Sequence, residues 1–275
     1  MKFSSSALFM GLALMATTFV SCTSDDDSDE PINEPVANDL ILINSAYTDV
    51  GSMLVNIYAA DSLMAQYTKI YVEVKDSASN NIITNAAVDI LPMMNMGTMV
   101  HSAPRENPTS NTATEGMYQG AVVFIMPGEM GWTLNVTIYD PANDVEGTAA
   151  VPVSVAQPAV TRTRVITPLD STNNLIISYL HPQNPKVGVN DMEITIHERI
   201  TGMNFTPVND YSVSIDPEMP SMGHGSPNNV NPVSIGNGHY KGKVNFTMTG
   251  MWRINLDIYD GTTSKDTTGF FDITL

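Results

Sequence analysis

The sequence predicts an all-β protein built as two similar sandwiches, and three observations carry that expectation. No long stretch keeps the period of an amphipathic helix, whereas many short runs alternate apolar and polar residues as half-buried strands do. Gly, Pro and Asn residues separate these runs at turn-like intervals. The chain also repeats itself. Gly116-Met117-Tyr118-Gln119-Gly120 lies over Gly238-His239-Tyr240-Lys241-Gly242, Phe124 over Phe246, and Trp132 over Trp252. Asn135 to Asp140 lies over Asn255 to Asp260, with an offset of 120 residues at both Trp and Asp. Upstream, Ala86, Val88, Ile90 and Pro92 correspond to Tyr211, Val213, Ile215 and Pro217.

In chain order, residues 1–21 read as an export signal. Lys2 precedes a short polar run and an apolar stretch from Ala7 to Val20, too short to span a bilayer and closed by the small residue Ser21. Cys22, the sole cysteine, follows, and Phe19-Val20-Ser21-Cys22 resembles a lipobox with Phe19 where Leu is usual. A transferred acyl group needs a thiol at the new N-terminus, so Cys22 is the expected lipidation site and the lipid is the expected contact with the membrane. With that thiol acylated, neither a disulfide framework nor a cysteine nucleophile is expected. Residues 22–38 open with Thr23-Ser24-Asp25-Asp26-Asp27-Ser28-Asp29-Glu30 and carry Pro31 and Pro35, a solvated tether in which like charges repel. An acidic run behind a lipid cysteine also resembles the surface-export signal of Bacteroidota lipoproteins; a spacer with no address is the competing reading. The expected location is the cell envelope, as an outer membrane lipoprotein facing the periplasm or the exterior.

The 254 residues from Cys22 onward hold two domains of about 115 residues each, expected at 39–156 and 157–275 with Gln157-Pro158 at the join. Side-chain parity gives their inner faces: Trp132, Leu134, Val136 and Ile138 in the first, Val244, Phe246 and Met248 with Trp252, Ile254, Leu256 and Ile258 in the second. Further strands are expected at Leu54–Tyr58, Ile70–Lys75, Leu175–Tyr179, Met192–His197 and Gly269–Thr274. About seven strands per domain fits two tandem immunoglobulin-like β-sandwiches. The formal net charge of −17 argues against nucleic acid or anionic headgroups as partners.

Methionine is the unusual residue. Outside the leader there are 15, and 11 of them fall between Met93 and Met130 or between Met219 and Met251, a clustering that random gap-filling does not give. Both windows open on turn-rich segments with one histidine each, Pro92 to Pro104 and Pro217 to Pro227, and both read as irregular loops. Thioether sulfur is a poor ligand for hard ions and a good one for Cu(I), and imidazole suits copper in either state. Met219, Met222, His224 and His239 are therefore the ligand candidates in the second copy, and Met94, Met96, Met99, His101 and Met117 in the first, with copper as the expected ion. Met117 stands where His239 stands, one soft ligand for another. Met126 and Met248 have inward parity and belong to the core; Met130 and Met251 fit rim packing as well as ligation. His197, on an outward strand face, and His181, before Pro182, are expected in solvent. A methionine-rich lid or a partner-binding surface competes with the metal reading.

The run from Met219 to His224, Gly238-His239-Tyr240-Lys241-Gly242, Met248, Gly250 and Trp252 together resemble the YtkA-like or FixH-like domain, a small β-sandwich of exported bacterial proteins often linked to copper handling. The resemblance covers the later two-thirds of the second copy and is looser in the first, where no histidine directly follows Met96-Gly97. It implies the sandwich and, with the methionines, copper buffering or delivery. The alternative is a structural lipoprotein whose sandwiches bind another envelope protein or a glycan. No phosphate-cradling loop, nucleophile elbow or zinc-protease helix appears, so an enzyme is not expected.

Overall fold

Among the described residues every named element is a strand, and burial alternates along several of them, β9 and β18 most clearly. The structure is a computed structural model that describes residues 39–275; the expected leader, Cys22 and the acidic tether lie outside the described residues. The first half contains β1 (Ile41–Tyr47), β2 (Met53–Ala59), β3 (Tyr67–Asp76), β4 (Ala87–Asn95), β5 (Val100–Ser102), β6 (Arg105–Glu106), β7 (Tyr118–Val123), β8 (Gly128–Asp140) and β9 (Val145–Val155). They form two antiparallel sheets, ordered β1-β2-β3-β7-β6 and β5-β4-β8-β9. The second half contains β10 (Thr163–Ile166), β11 (Leu175–His181), β12 (Gly188–Arg199), β13 (Phe205–Pro207), β14 (Ser212–Met219), β15 (His224–Gly225), β16 (Val230–Gly236), β17 (His239–Phe246), β18 (Met251–Asp260) and β19 (Thr263–Thr274). Its sheets are β10-β11-β12-β17-β16, with β13 on β12, and β15-β14-β18-β19.

Each pair of sheets closes on its own core, one running from Met53 to Val155 and the other from Leu175 to Ile273. The parity reading holds at Trp132, Leu134, Val136 and Ile138, and at Trp252, Ile254, Leu256 and Ile258, all buried. It fails at Met248, which is 37% exposed because β17 ends at Phe246 and the chain has already turned. The methionine windows are also less irregular than their prolines suggest. Pro92 and Pro217 lie inside β4 and β14, opposite Leu134 and Ile254. A strand tolerates proline where its missing N–H has no ladder partner to serve.

Five buried apolar side chains belong to neither core: Tyr71, Ala121 and Val123 on β3 and β7, and Ile176 and Leu180 on β11. All five point outward from their own sandwich, so something outside it must cover them. Between them the Tyr67 N–H donates to Ser178 Oγ at 3.1 Å, and the Ser102 N–H donates to the Gly202 carbonyl at 2.9 Å. The outer face of β3-β7-β6 is thus packed on the outer face of β11-β12-β17, and both sandwiches belong to one compact unit. This joint corrects the expectation for His197. Its side chain does point outward from β12, but it is only 2% exposed because the first sandwich covers that face.

Candidate functional site

Cross-strand register decides which of the methionines and histidines meet. Met94 on β4 stands opposite His101 on β5 and opposite Trp132 on β8. Directly opposed residues of antiparallel strands share a face, so the three form one row on the inner side of the sheet. The His101 ring meets Trp132 edge-on, with centroids 5.9 Å apart and planes at 85°. Trp132 Nε1 donates to the Met126 carbonyl at 3.0 Å, which fixes the indole.

The second sandwich repeats this row. Met219 stands opposite His224, and the pairing of Glu218 with Arg253 leaves Met219 level with Trp252. His224 meets Trp252 edge-on at 5.7 Å and 86°, and Trp252 Nε1 donates to the Met248 carbonyl at 3.0 Å. Glycine makes the room for both thioethers. A Cβ added at Gly131 would lie 2.7 Å from Met94 Sδ, and one added at Gly250 would lie 2.6 Å from Met219 Cε.

The other five candidates do not join these rows. Met96 and Met99 sit on the β4–β5 turn and Met222 on the β14–β15 turn, all exposed, with Met99 at 60% and Met222 at 59%. Backbone bonds tie these turns to the rows: the Met96 N–H donates to the Met99 carbonyl at 2.9 Å, and the Met222 N–H to the Met219 carbonyl at 3.0 Å. Met117 and His239 are at the far end of each sandwich. Both follow a two-residue turn, with positive φ at Glu115-Gly116 and Asn237-Gly238, that opens β7 and β17, whereas the tryptophan rows lie where those strands end. Seven residues of strand at ~3.3 Å each, about 23 Å, separate His239 from the level of Phe246 and Trp252. The expectation that His239 and Met117 complete the ligand sets is thereby corrected.

His239 does different work. Its Nε2 lies 2.7 Å from Glu106 Oε1 of the first sandwich and its Nδ1 lies 2.6 Å from Glu193 Oε1 of the second. Burial opposes charge on this ring, but hydrogen bonds to the two carboxylates outweigh it and lift the pKa to about 9. Burial likewise pushes Glu193 upward, and its hydrogen bond and attraction to His239, with Lys241 adding to them, bring it below the ordinary value. Burial drives His197 down to about 4, so that ring is neutral. His181 is also lowered by burial rather than being freely solvated.

The equivalence of Met94 and Met219 was available in the sequence. The upstream match of Pro92 with Pro217, extended by two residues, reaches Met94 and Met219. The Glu106–His239–Glu193 contact had no such signal, because nothing in a one-dimensional pattern says which outer faces meet.

The family model described as YtkA-like matches residues 172–257. That stretch lies within the second sandwich, from the segment before β11 into β18. It holds the whole Met219–His224–Trp252 row, Met222 and His239. No curated protein matches the chain. Among solved structures, domains 5-6 of the S-layer protein SbsC are 19% identical, covering 88% of this chain and 98% of that one, with a TM-score of 0.29. SbsC domains 4-9 are 17% identical over 88% of this chain and 31% of that one, with a TM-score of 0.26. FdeC, an Escherichia coli adhesin, is 14% identical over 87% of this chain and 83% of that one, also with a TM-score of 0.26. At those scores no function passes from them to this chain.

Proposed function

We propose that this chain is an extracytoplasmic lipoprotein, anchored through Cys22 behind its acidic tether, whose YtkA-like second sandwich takes up Cu(I) as cargo at Met219 and His224, with Met222 on the turn above them. The supporting observation is the repeated row. Methionine, histidine and tryptophan occupy the same three cross-strand positions in both sandwiches although the connecting turns differ in length and sequence. A thioether and an imidazole next to an indole suit a soft monovalent ion, and the thioether has no proton to lose. Among the described residues, no three His, Cys, Asp or Glu side chains are arranged so that they could hold a harder ion. On this reading the first sandwich is a second YtkA-like copy. Its row of Met94 and His101, with Met96 and Met99 on the turn, contributes less because His101 is 8% exposed. The protein carries out no catalysis and holds copper for buffering or delivery.

Cu(I) titration against a bathocuproine-type competitor tests this. Met222→Ala with His224→Ala, which spares the core residue Met219, is expected to weaken retention at least tenfold. Met96→Ala with Met99→Ala is expected to change it less than threefold. Equal and weak retention by the wild type and the Met222/His224 variant would reject copper. The second reading is a metal-free structural lipoprotein that binds an envelope protein or glycan, favoured by the packing of Met94 and Met219 into the two cores. Purified protein without metal, together with partners that survive loss of Met96, Met99 and Met222, would select it.

A further inference from the structure

We propose that the joint between the two sandwiches is an acid–base latch: the His239 ring, clamped between Glu106 of the first sandwich and Glu193 of the second, holds the outer sheet faces together and releases them when the clamp loses its charge pattern. The argument begins with the ring itself. Both of its nitrogens face carboxylate oxygens, at 2.7 and 2.6 Å, and carboxylates only accept. A neutral imidazole has one N–H, so both contacts are satisfied only by the imidazolium, one positive charge between two negative ones. Tyr67 completes the clamp, donating to Glu106 Oε2 at 3.2 Å and meeting the imidazole edge-on at 5.7 Å.

Beside this triad the faces meet through the buried Tyr71, Ala121, Val123, Ile176 and Leu180 and through the Tyr67 and Ser102 N–H groups, whereas each sandwich has a core of its own. The closed joint also leaves Thr195 Oγ1 and His197 Nδ1 buried without a hydrogen-bond partner, both on the covered face of β12. Opening returns those atoms to water, a gain that the clamp helps to outweigh.

The duplication supplies an internal control. Met117 stands at the position of His239. Val230 stands at that of Glu106, since their carbonyls lie over the matching strand glycines Gly242 and Gly120. Tyr71, paired with Gln119, stands at that of Glu193, paired with Lys241. Neither sandwich carries the whole triad, so the latch belongs to the joint and is not a recurring feature of the sandwich.

The titratable groups around the ring are Tyr67 and Lys69 from β3, Glu106 from β6, His181 from β11, Glu193 and His197 from β12, and Lys241 from β17, whose Nζ lies 3.4 Å from Glu193 Oε2. The two joint histidines act with opposite signs. His239 is raised, so its contribution is complete below pH 6.5 and is lost as pH climbs through about 9. His197 is lowered, so the joint is unopposed above pH 6.5 and weakens as pH falls toward about 4, where that buried ring takes a proton. The joint is therefore firmest near neutrality.

Amide hydrogen exchange on the full chain tests the latch, because the Tyr67 and Ser102 N–H groups donate across the joint. His239→Gln leaves two carboxylates facing one neutral amide. It is expected to lower the protection of those two amides at least tenfold at pH 7, while the core amides of Trp132 and Trp252 keep theirs. Unchanged protection at Tyr67 and Ser102 overturns the proposal. If the variant loses core protection as well, the wild type decides: joint protection, corrected for intrinsic rate, must fall with the same midpoint as the NMR titration of the His239 ring. Protection that persists after the ring is deprotonated overturns the latch.

Discussion

The two methionine–histidine rows have the same internal geometry and different surroundings. In the first sandwich the row lies beside the joint: Ser102, next to His101, donates to the Gly202 carbonyl of the second sandwich, and His101 is buried. In the second sandwich the row lies at the end of β17 away from the joint, and His224 is half-buried with Met222 exposed above it. The contacts made inside each sandwich are alike. Position in the tandem sets which histidine is buried, because corresponding sheets meet one strand out of step, β3-β7-β6 against β11-β12-β17.

The largest expected effect tests whether the rows are equivalent at all. Trp132 and Trp252 are both fully buried, each meets a histidine edge-on, and each indole N–H donates to a methionine carbonyl. Trp132→Ala and Trp252→Ala are each expected to cost about 3–5 kcal/mol through lost burial and the cavity left behind. Denaturant unfolding followed separately in the two sandwiches would check it. A large cost for one and a small cost for the other would break the equivalence.

Why the rows were only partly legible in the sequence follows from the same residues. Parity located Trp132, Trp252 and their strand neighbours because alternation is a property of one strand read alone. The repeat aligned Pro92 with Pro217, two residues short of the pair that matters. Proline and glycine then suggested loops where β4 and β14 run on to Asn95 and Met219, since a proline costs a strand little when its nitrogen faces no partner. His239 and Met117 were grouped with the loops by residue type, although the strands they open carry them to the opposite end. His197 shows the remaining limit: parity says which way a side chain points and nothing about what covers it.

A smaller effect separates the rows by backbone rather than by burial. Gly250 has φ +133°, a region that L side chains rarely adopt, and an added Cβ would also press on Met219 Cε. Gly131 has no such φ, and its added Cβ would press only on the flexible Met94 side chain. Gly250→Ala is expected to cost about 1–3 kcal/mol from strain. Gly131→Ala is expected to cost about 1 kcal/mol, since a methionine can shift rotamer. Thermal unfolding of the two variants measures the difference, and equal costs would mean that the chain relaxes at Gly250.

The smallest energetic effect gives the sharpest map of exposure. Met96, Met99 and Met222 are exposed, whereas Met94 and Met219 are buried in the two cores one cross-strand step below. Replacing Met99 or Met222 by Ser is expected to change stability by no more than about 0.5 kcal/mol, as surface substitutions do. Dilute peroxide, read by peptide mass, is expected to convert Met96, Met99 and Met222 to sulfoxide while Met94 and Met219 stay reduced, because oxidation follows access. A histidine acylating reagent should in the same way modify His224 well before His101. Early oxidation of Met219, with Met94 still protected, would show that the second row opens on its own, which a row that loads and releases an ion requires and a purely structural core does not.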